Sequence, residues 1–134
     1  MSNAPAAEFC LDASALLALM QQEPGFEIVA ATLDRAVMHS VNVLEVLRKL
    51  IRDGLPPEVA VELFEELHIN VIDQISIRHL KAATALIDQS KSLGLSLGDC
   101  VCLMLGEELN CTILTSEKSW SRVQLRAGTV RQIR

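Results

Sequence analysis

Short apolar runs alternate with longer segments of helical periodicity along this chain, and this alternation restricts the possible folds most strongly. The runs at 8–11 and 112–114 are short enough to be buried strands. The segment 42–52, by contrast, repeats its apolar residues every three or four positions, which is typical of a helix with one buried face. Strands that alternate with helices form βαβ units. We therefore predict an α/β fold in three layers, α/β/α, around a mainly parallel sheet of four to five strands.

Residues that favour turns and helix ends give the approximate bounds of these elements. Pro24-Gly25, Asp53-Gly54 and Gly94 mark positions where helices should end. The predicted strands are 8–11, 37–41, 69–72, 112–114 and 129–133, and the predicted helices are 13–22, 26–34, 42–52, 56–67, 75–93 and 97–109. A chain of 134 residues is near the usual size of one domain, so we expect a single domain over 1–134.

The composition limits the environment in which such a chain works. Half of the residues are hydrophobic, which is ample material for a core. No apolar run approaches the roughly 20 residues needed to cross a bilayer, and no basic segment followed by an apolar stretch begins the chain. The four cysteines have apolar neighbours and no zinc-binding spacing, so we interpret them as buried thiols of a reducing compartment. These features predict a cytoplasmic protein with no membrane partner.

The charge of the chain is unevenly distributed. The net charge is −5, which argues against general binding of nucleic acid. Residues 117–134, however, contain five cations and one acid, a local charge of +4. A basic tail beside an acidic pocket would guide a phosphate backbone, whereas the alternative is a set of ordinary solvated charges.

Four acidic residues occur where an α/β sheet places its chemistry. Asp12 and Glu117 follow predicted strands, and Glu45 and Asp99 lie near the starts of predicted helices. Each also has a structural explanation: Asp12 as a helix N-cap, Asp99 as the partner of Ser96 in a capping box, Glu45 as a solvated helix charge and Glu117 as a loop residue. Together, carboxylates of this kind form an oxygen-rich site for Mg²⁺ or Mn²⁺.

The order and spacing of the acidic segments resemble a PIN domain, and more narrowly the small VapC-type toxins of bacterial and archaeal toxin–antitoxin pairs. The resemblance covers nearly the whole chain. The matching segments are Asp12-Ala13-Ser14, Asn42-Val43-Leu44-Glu45, Leu97-Gly98-Asp99 and Leu114-Thr115-Ser116-Glu117.

This resemblance implies a metal-dependent endoribonuclease that hydrolyses RNA phosphodiester bonds with a metal-activated water, leaving a 5′-phosphate and a 3′-hydroxyl. Asp12, Glu45 and Asp99 match the three most regular acids of the family, which hold Mg²⁺ or Mn²⁺ and carry catalysis. Glu117 matches a fourth acid that is usually Asp. Its longer side chain would reach a metal directly or through water, or would disturb a second metal site. The supporting positions of the pocket are matched by Ser14, Asn42 and Thr115.

The resemblance also implies partners, namely an RNA substrate, a cognate antitoxin and a second copy of the chain in a homodimer. One alternative is a catalytically impaired PIN-like module that binds RNA or a protein partner without cleaving. A weaker alternative is a receiver-type signalling domain, for which only Asp73 and Lys118 would be candidates. His39, His68 and His79 are scattered, and we interpret them as structural or surface residues.

Overall fold

A five-stranded parallel sheet organises residues 7–134, the part of the chain that this computed structural model describes. The strand order is β3-β2-β1-β4-β5, and all four neighbouring pairs are parallel. The strands are β1 Phe9–Leu11, β2 Ala36–His39, β3 Asn70–Ile72, β4 Thr112–Thr115 and β5 Thr129–Gln132. The chain builds outward from β1 to β3 on one side and then returns to place β4 and β5 on the other. The order therefore reverses between β1 and β4.

Helices cover both faces of this sheet, which confirms the predicted α/β/α layers. They are α1 Ala13–Met20, α2 Phe26–Ala30, α3 Ser40–Arg52, α4 Pro57–Glu65, α5 Ile77–Leu93 and α6 Leu97–Leu109, with short 3₁₀ helices at Leu33–Arg35 and Lys118–Arg122. None of these helices combines the length and apolar character needed to span a membrane in the described chain.

Strand alternation divides the core into two parts. Successive side chains of a strand point to opposite faces of the sheet. In β1, Cys10 packs in the cluster under α5 and α6, whereas Leu11 packs in the cluster under α1 to α4. Ile113 and Leu114 of β4 divide in the same way. Trp120 is 1% exposed and belongs to the α5–α6 side, as expected for a packing residue. All four cysteines are free and buried, which confirms their interpretation as buried thiols.

The sequence placed several element ends incorrectly, and local hydrogen bonds explain why. The strand predicted over 37–41 ends at His39, because the His39 Nδ1 atom accepts the Val41 N–H at 3.1 Å and starts α3 at Ser40. The helix predicted from residue 75 begins at Ile77, because Ser76 caps it. The helix predicted over 26–34 is interrupted after Ala30 and continues as the short 3₁₀ helix.

Candidate active site

Asp12 lies at the point where the strand order reverses. It directly follows β1, and its backbone N–H donates to the Leu114 carbonyl of β4 at 3.1 Å. Its side chain is 2% exposed. Ligand sites of open parallel sheets form at this reversal, outside the carboxyl ends of the strands. Asp12 occupies the N-cap position of α1, as predicted, but its side chain makes no capping hydrogen bond, so capping does not account for the carboxylate.

Two hydroxyl groups hold the Asp12 carboxylate instead. Ser14 Oγ donates to Asp12 Oδ2 at 2.6 Å, and Thr115 Oγ1 donates to the same oxygen at 2.9 Å. The backbone N–H groups of Ser116 and Glu117 donate in turn to the Ser14 and Thr115 hydroxyls, each at 3.0 Å. Because each hydroxyl has one proton and accepts a backbone N–H, that proton is directed to Asp12. The carboxylate is therefore fixed before any ligand arrives.

This environment makes the charged form of Asp12 costly. Burial raises the pKa of Asp12 to about 6, and the nearby Asp99 charge adds to the rise. The Ser14 and Thr115 hydrogen bonds oppose the rise without cancelling it. An ionised carboxylate that is buried without a neighbouring cation raises the free energy of the folded protein, and a bound cation would reduce that cost.

Glu45 is positioned by the amide of Asn42, one turn earlier on α3. Asn42 Nδ2 donates to Glu45 Oε1 at 2.7 Å and to the Gly98 carbonyl of α6 at 2.9 Å. Asn42 is fully buried, so this bridge is protected from water. Gly98 leaves the space that Glu45 fills, since a Cβ atom there would lie 2.6 Å from Glu45 Cδ. Asn42 and Glu45, three residues apart, thus share one face of α3.

Asp99 is held at the first turn of α6 by the capping box that the sequence predicted. Its N–H donates to Ser96 Oγ at 3.1 Å, and its Oδ2 accepts the Ser96 N–H at 2.9 Å. This pair of bonds satisfies two backbone donors at the helix start. The structural explanation of Asp99 is thus confirmed, and the same carboxylate also faces the neighbourhood of Asp12, whose pKa it raises.

All four acids line one cavity of about 210 Å³. Glu117, which is exposed, completes the set from the loop after β4. The remaining lining residues are Ala13, Ser14, Leu17, Arg48, Lys49 and Arg52. Arg48, Lys49 and Arg52 of α3 thus form a basic wall of the cavity beside its four acids.

A family model described as the PIN domain matches residues 9–125, which includes every one of these acids. The chain belongs to the PIN domain family. This membership also removes the receiver-type alternative. The sequence has no match among the curated proteins compared with it.

Solved structures share the fold of this PIN domain at low sequence identity. DNA-bound VapBC from Salmonella typhimurium gives a TM-score of 0.72 at 12% identity, covering 96% of this chain and 99% of that one. VapBC-1 from nontypeable Haemophilus influenzae gives 0.70 at 18%, covering 93% and 97%. PAE2754 from Pyrobaculum aerophilum gives 0.63 at 16%, covering 96% and 92%. At these identities the likeness shows the fold, which is VapC-like.

The oxygen donors of the PIN cavity are of the chemical type that binds a hard divalent cation, but they do not converge on a single point. The lining offers carboxylate oxygens and neither Cys nor His, which is the chemistry of Mg²⁺ and Mn²⁺ sites. Within residues 7–134, however, no three His, Cys, Asp or Glu side chains converge closely enough to hold a metal ion. Glu45 and Asp99 are instead hydrogen-bonded within the protein, Glu45 to the Asn42 amide and Asp99 to the Ser96 backbone N–H.

The basic wall of the PIN cavity was missed by sequence reasoning, which looked for cations in the tail. Three of the five tail cations are engaged elsewhere: Lys118 Nζ donates to the Arg134 carbonyl, Arg126 pairs with Glu107 at 3.6 Å, and Arg134 Nη1 donates to the Pro24 carbonyl at 3.0 Å. The cavity cations come from α3 instead. Their spacing of three, four and seven residues after Glu45 was a signal that could have found them.

Proposed function

We propose that this PIN domain is a metal-dependent endoribonuclease of the VapC toxin type. The observation that carries the proposal is the single cavity at the strand reversal, lined by Asp12, Glu45, Asp99 and Glu117. Asp12 is held there by hydrogen bonds, and its burial makes the charged carboxylate unfavourable unless a cation binds. The PIN family match and the VapC-like fold support the same activity.

The four carboxylates would hold Mg²⁺ or Mn²⁺. Such an ion lowers the pKa of water and stabilises charge that develops on the phosphate. Ser14 and Thr115 orient Asp12 through its Oδ2 atom, and Asn42 keeps Glu45 beside α6. Supporting contacts of this kind keep the acids in place while substrate exchanges.

The proposed partners follow from the same comparison. Two of the structural neighbours are VapBC assemblies, which supports a cognate antitoxin as the protein partner of this chain. We extend the proposal to a homodimer working in the cytoplasm. Size-exclusion chromatography with light scattering tests the homodimer, and a single-chain mass at all concentrations would rule it out.

The decisive experiment is incubation of the purified, antitoxin-free protein with a cellular RNA pool in Mn²⁺, in Mg²⁺ and in EDTA. Asp99→Asn and the matched control Asp88→Asn, an exposed aspartate of α5, are purified in the same way. We expect cleavage that requires metal, that is lost in Asp99→Asn and that survives in Asp88→Asn. Folded wild-type protein that cuts no RNA in either metal would contradict the nuclease and favour the non-cleaving module.

A further inference from the structure

We propose that Arg48 and Arg52 of α3 form a phosphate-binding subsite that holds the RNA strand beside the acidic cavity. The inference rests on the proposed function for its substrate and goes beyond it by assigning where the strand is held. It begins from the basic wall of the cavity, which the PIN fold by itself does not explain.

Helical geometry places the cations in line with the acid that they accompany. Arg48, Lys49 and Arg52 follow Glu45 by three, four and seven residues, so all four side chains share one face of α3. Arg48 and Arg52 are four residues apart, which is about 6 Å along the helix at 1.5 Å per residue. A stacked strand carries one phosphate per roughly 3.4 Å, so two arginines at this spacing suit two nearby phosphates of one strand.

The pairing of these cations leaves two of them available. Lys49 Nζ lies 2.9 Å from Asp53 Oδ1 and is satisfied within α3. Arg48 and Arg52 are exposed, and neither forms an ion pair or a hydrogen bond through its side chain with any residue of 7–134. Unpaired guanidinium groups present several donors in a plane, which suits phosphate oxygens.

Glu45, the acid one turn before Arg48 on α3, is engaged by the Asn42 bridge rather than by Arg48. Glu45 is one turn away from Arg48 and would be its natural partner on a helix surface. The Asn42 amide holds the Glu45 carboxylate against Gly98 instead. The acid therefore faces α6, while the guanidinium remains free for a ligand outside the chain.

Charge gives the reason that a polyanion needs such a subsite here. The chain carries −5 overall, and its cavity is lined by four acids, so an RNA strand would be repelled without local cations. Arg48 also lines a neighbouring groove of about 380 Å³ with Leu44 and Leu97, which are 65% and 76% exposed. Arg48 thus lies where the acidic cavity meets this neighbouring groove.

The test compares Arg48→Gln/Arg52→Gln with Arg78→Gln/Lys81→Gln, which removes two exposed cations of α5 that do not line the acidic cavity. Binding of a fluorescein-labelled single-stranded RNA is measured by anisotropy in EDTA, across a series of salt concentrations. Cleavage of the same RNA is measured in Mn²⁺. Thermal melting confirms that each variant is folded.

We expect the α3 variant to bind the RNA about tenfold more weakly and to lose roughly 1.4 from its logarithmic salt slope, since each single-strand phosphate contact contributes about 0.7. Its KM should rise with kcat nearly unchanged, because strand anchoring differs from chemistry. The α5 variant should match the wild type in both assays.

Equal RNA binding by both variants would overturn the subsite, and so would a fall in kcat at unchanged KM. An equal loss of binding to polyglutamate of similar length would assign the two arginines to acidic peptides and overturn the RNA assignment. Absence of cleavage by the wild type would contradict the proposed nuclease, whereas the binding result in EDTA would still decide the subsite.

Discussion

Two carboxylates of the same cavity affect the stability of the fold in opposite directions. Asp12 is buried at the end of β1, accepts hydrogen bonds from two hydroxyl groups and has a pKa raised to about 6. Asp99 lies at the start of α6 and closes a capping box with Ser96. The first makes the charged protein less stable, whereas the second stabilises the helix on which it lies.

The difference shows that the stability of the fold accounts for Asp99 but not for Asp12. Asp99 contributes to α6 whether or not the protein has a ligand. Asp12 does not cap the helix that follows it, and its burial opposes its charge although two hydroxyl groups donate to it. A costly charge in a polar, hydroxyl-lined position is a feature expected of a functional group.

The largest expected effect is that of Asp12→Asn on RNA cleavage. Because metal stabilisation of a transition state amounts to several kcal/mol, we expect kcat/KM to fall by roughly a thousandfold or more. The same substitution should raise the melting temperature in EDTA, because Asn keeps an acceptor for Ser14 and Thr115 without the buried charge. Asp88→Asn is the control, and a variant that is inactive but less stable would contradict the comparison.

The next effect is a pH dependence of stability. The pKa of Asp12 is about 6 in the folded state against 3.8 when unperturbed, so only well below pH 3.8 is the residue neutral in both states. As the pH rises from about 4 to 6, the unfolded chain releases this proton and the folded chain retains it. The free energy of unfolding should therefore fall by up to about 3 kcal/mol over this interval and then level off.

Denaturant unfolding of the wild type and of Asp12→Asn in EDTA, at pH 4, 5, 6 and 7, measures this effect. The difference in free energy of unfolding between the two proteins should grow in favour of the Asn variant up to about pH 6 and then stay constant. A difference that does not change with pH would mean that Asp12 does not carry the unfavourable charge.

The fold and the local capping box of Asp99 could be predicted from the sequence, whereas the long-range contacts around Asp12 could not. The α/β/α layers followed from alternating patterns, and the Ser96–Asp99 box followed from a local spacing of three residues. The contacts around Asp12 join residues about a hundred positions apart, such as Ser14 with Thr115, and no local pattern contains them. The bridge from Asn42 to Gly98 is long-range in the same way, although its bond to Glu45 is local.

A smaller effect is expected for Gly98→Ala, which tests whether the α6 side of the cavity depends on a missing side chain. The new Cβ would meet the Glu45 carboxylate, whose Cδ lies 2.6 Å away, and would displace it from Asn42. If Glu45 holds the metal as proposed, we expect kcat/KM to fall by about 10- to 100-fold, as for other losses of a contact that supports a metal ligand. Stability should change little, since alanine favours a helix by up to about 1 kcal/mol and Glu45 is flexible.

Gly54→Ala is a poor control because Gly54 has a φ of +108°, so Ser92→Ala, at an exposed position of α5, serves better. Calorimetric titration of Mn²⁺ into Gly98→Ala provides a second reading that does not depend on RNA. Wild-type Mn²⁺ affinity together with wild-type cleavage in Gly98→Ala would show that the packing of Glu45 against α6 has no functional role.

The smallest expected effect is the stability change in Asp99→Ala, and it sharpens the contrast between the two acids most directly. The substitution removes the acceptor of the Ser96 N–H and a negative charge at the positive end of the α6 dipole, which together should cost about 1 kcal/mol. Relief of the repulsion between Asp99 and Asp12 reduces this cost without reversing it, because Asp99 is a minor cause of the raised pKa of Asp12. Asp99→Asn keeps an acceptor for the Ser96 N–H, so it should recover part of the loss while remaining inactive. Denaturant unfolding of the two variants beside Asp12→Asn at pH 7 would then place them on opposite sides of the wild type, and an Asp99→Ala protein more stable than the wild type would show that both acids strain the fold alike.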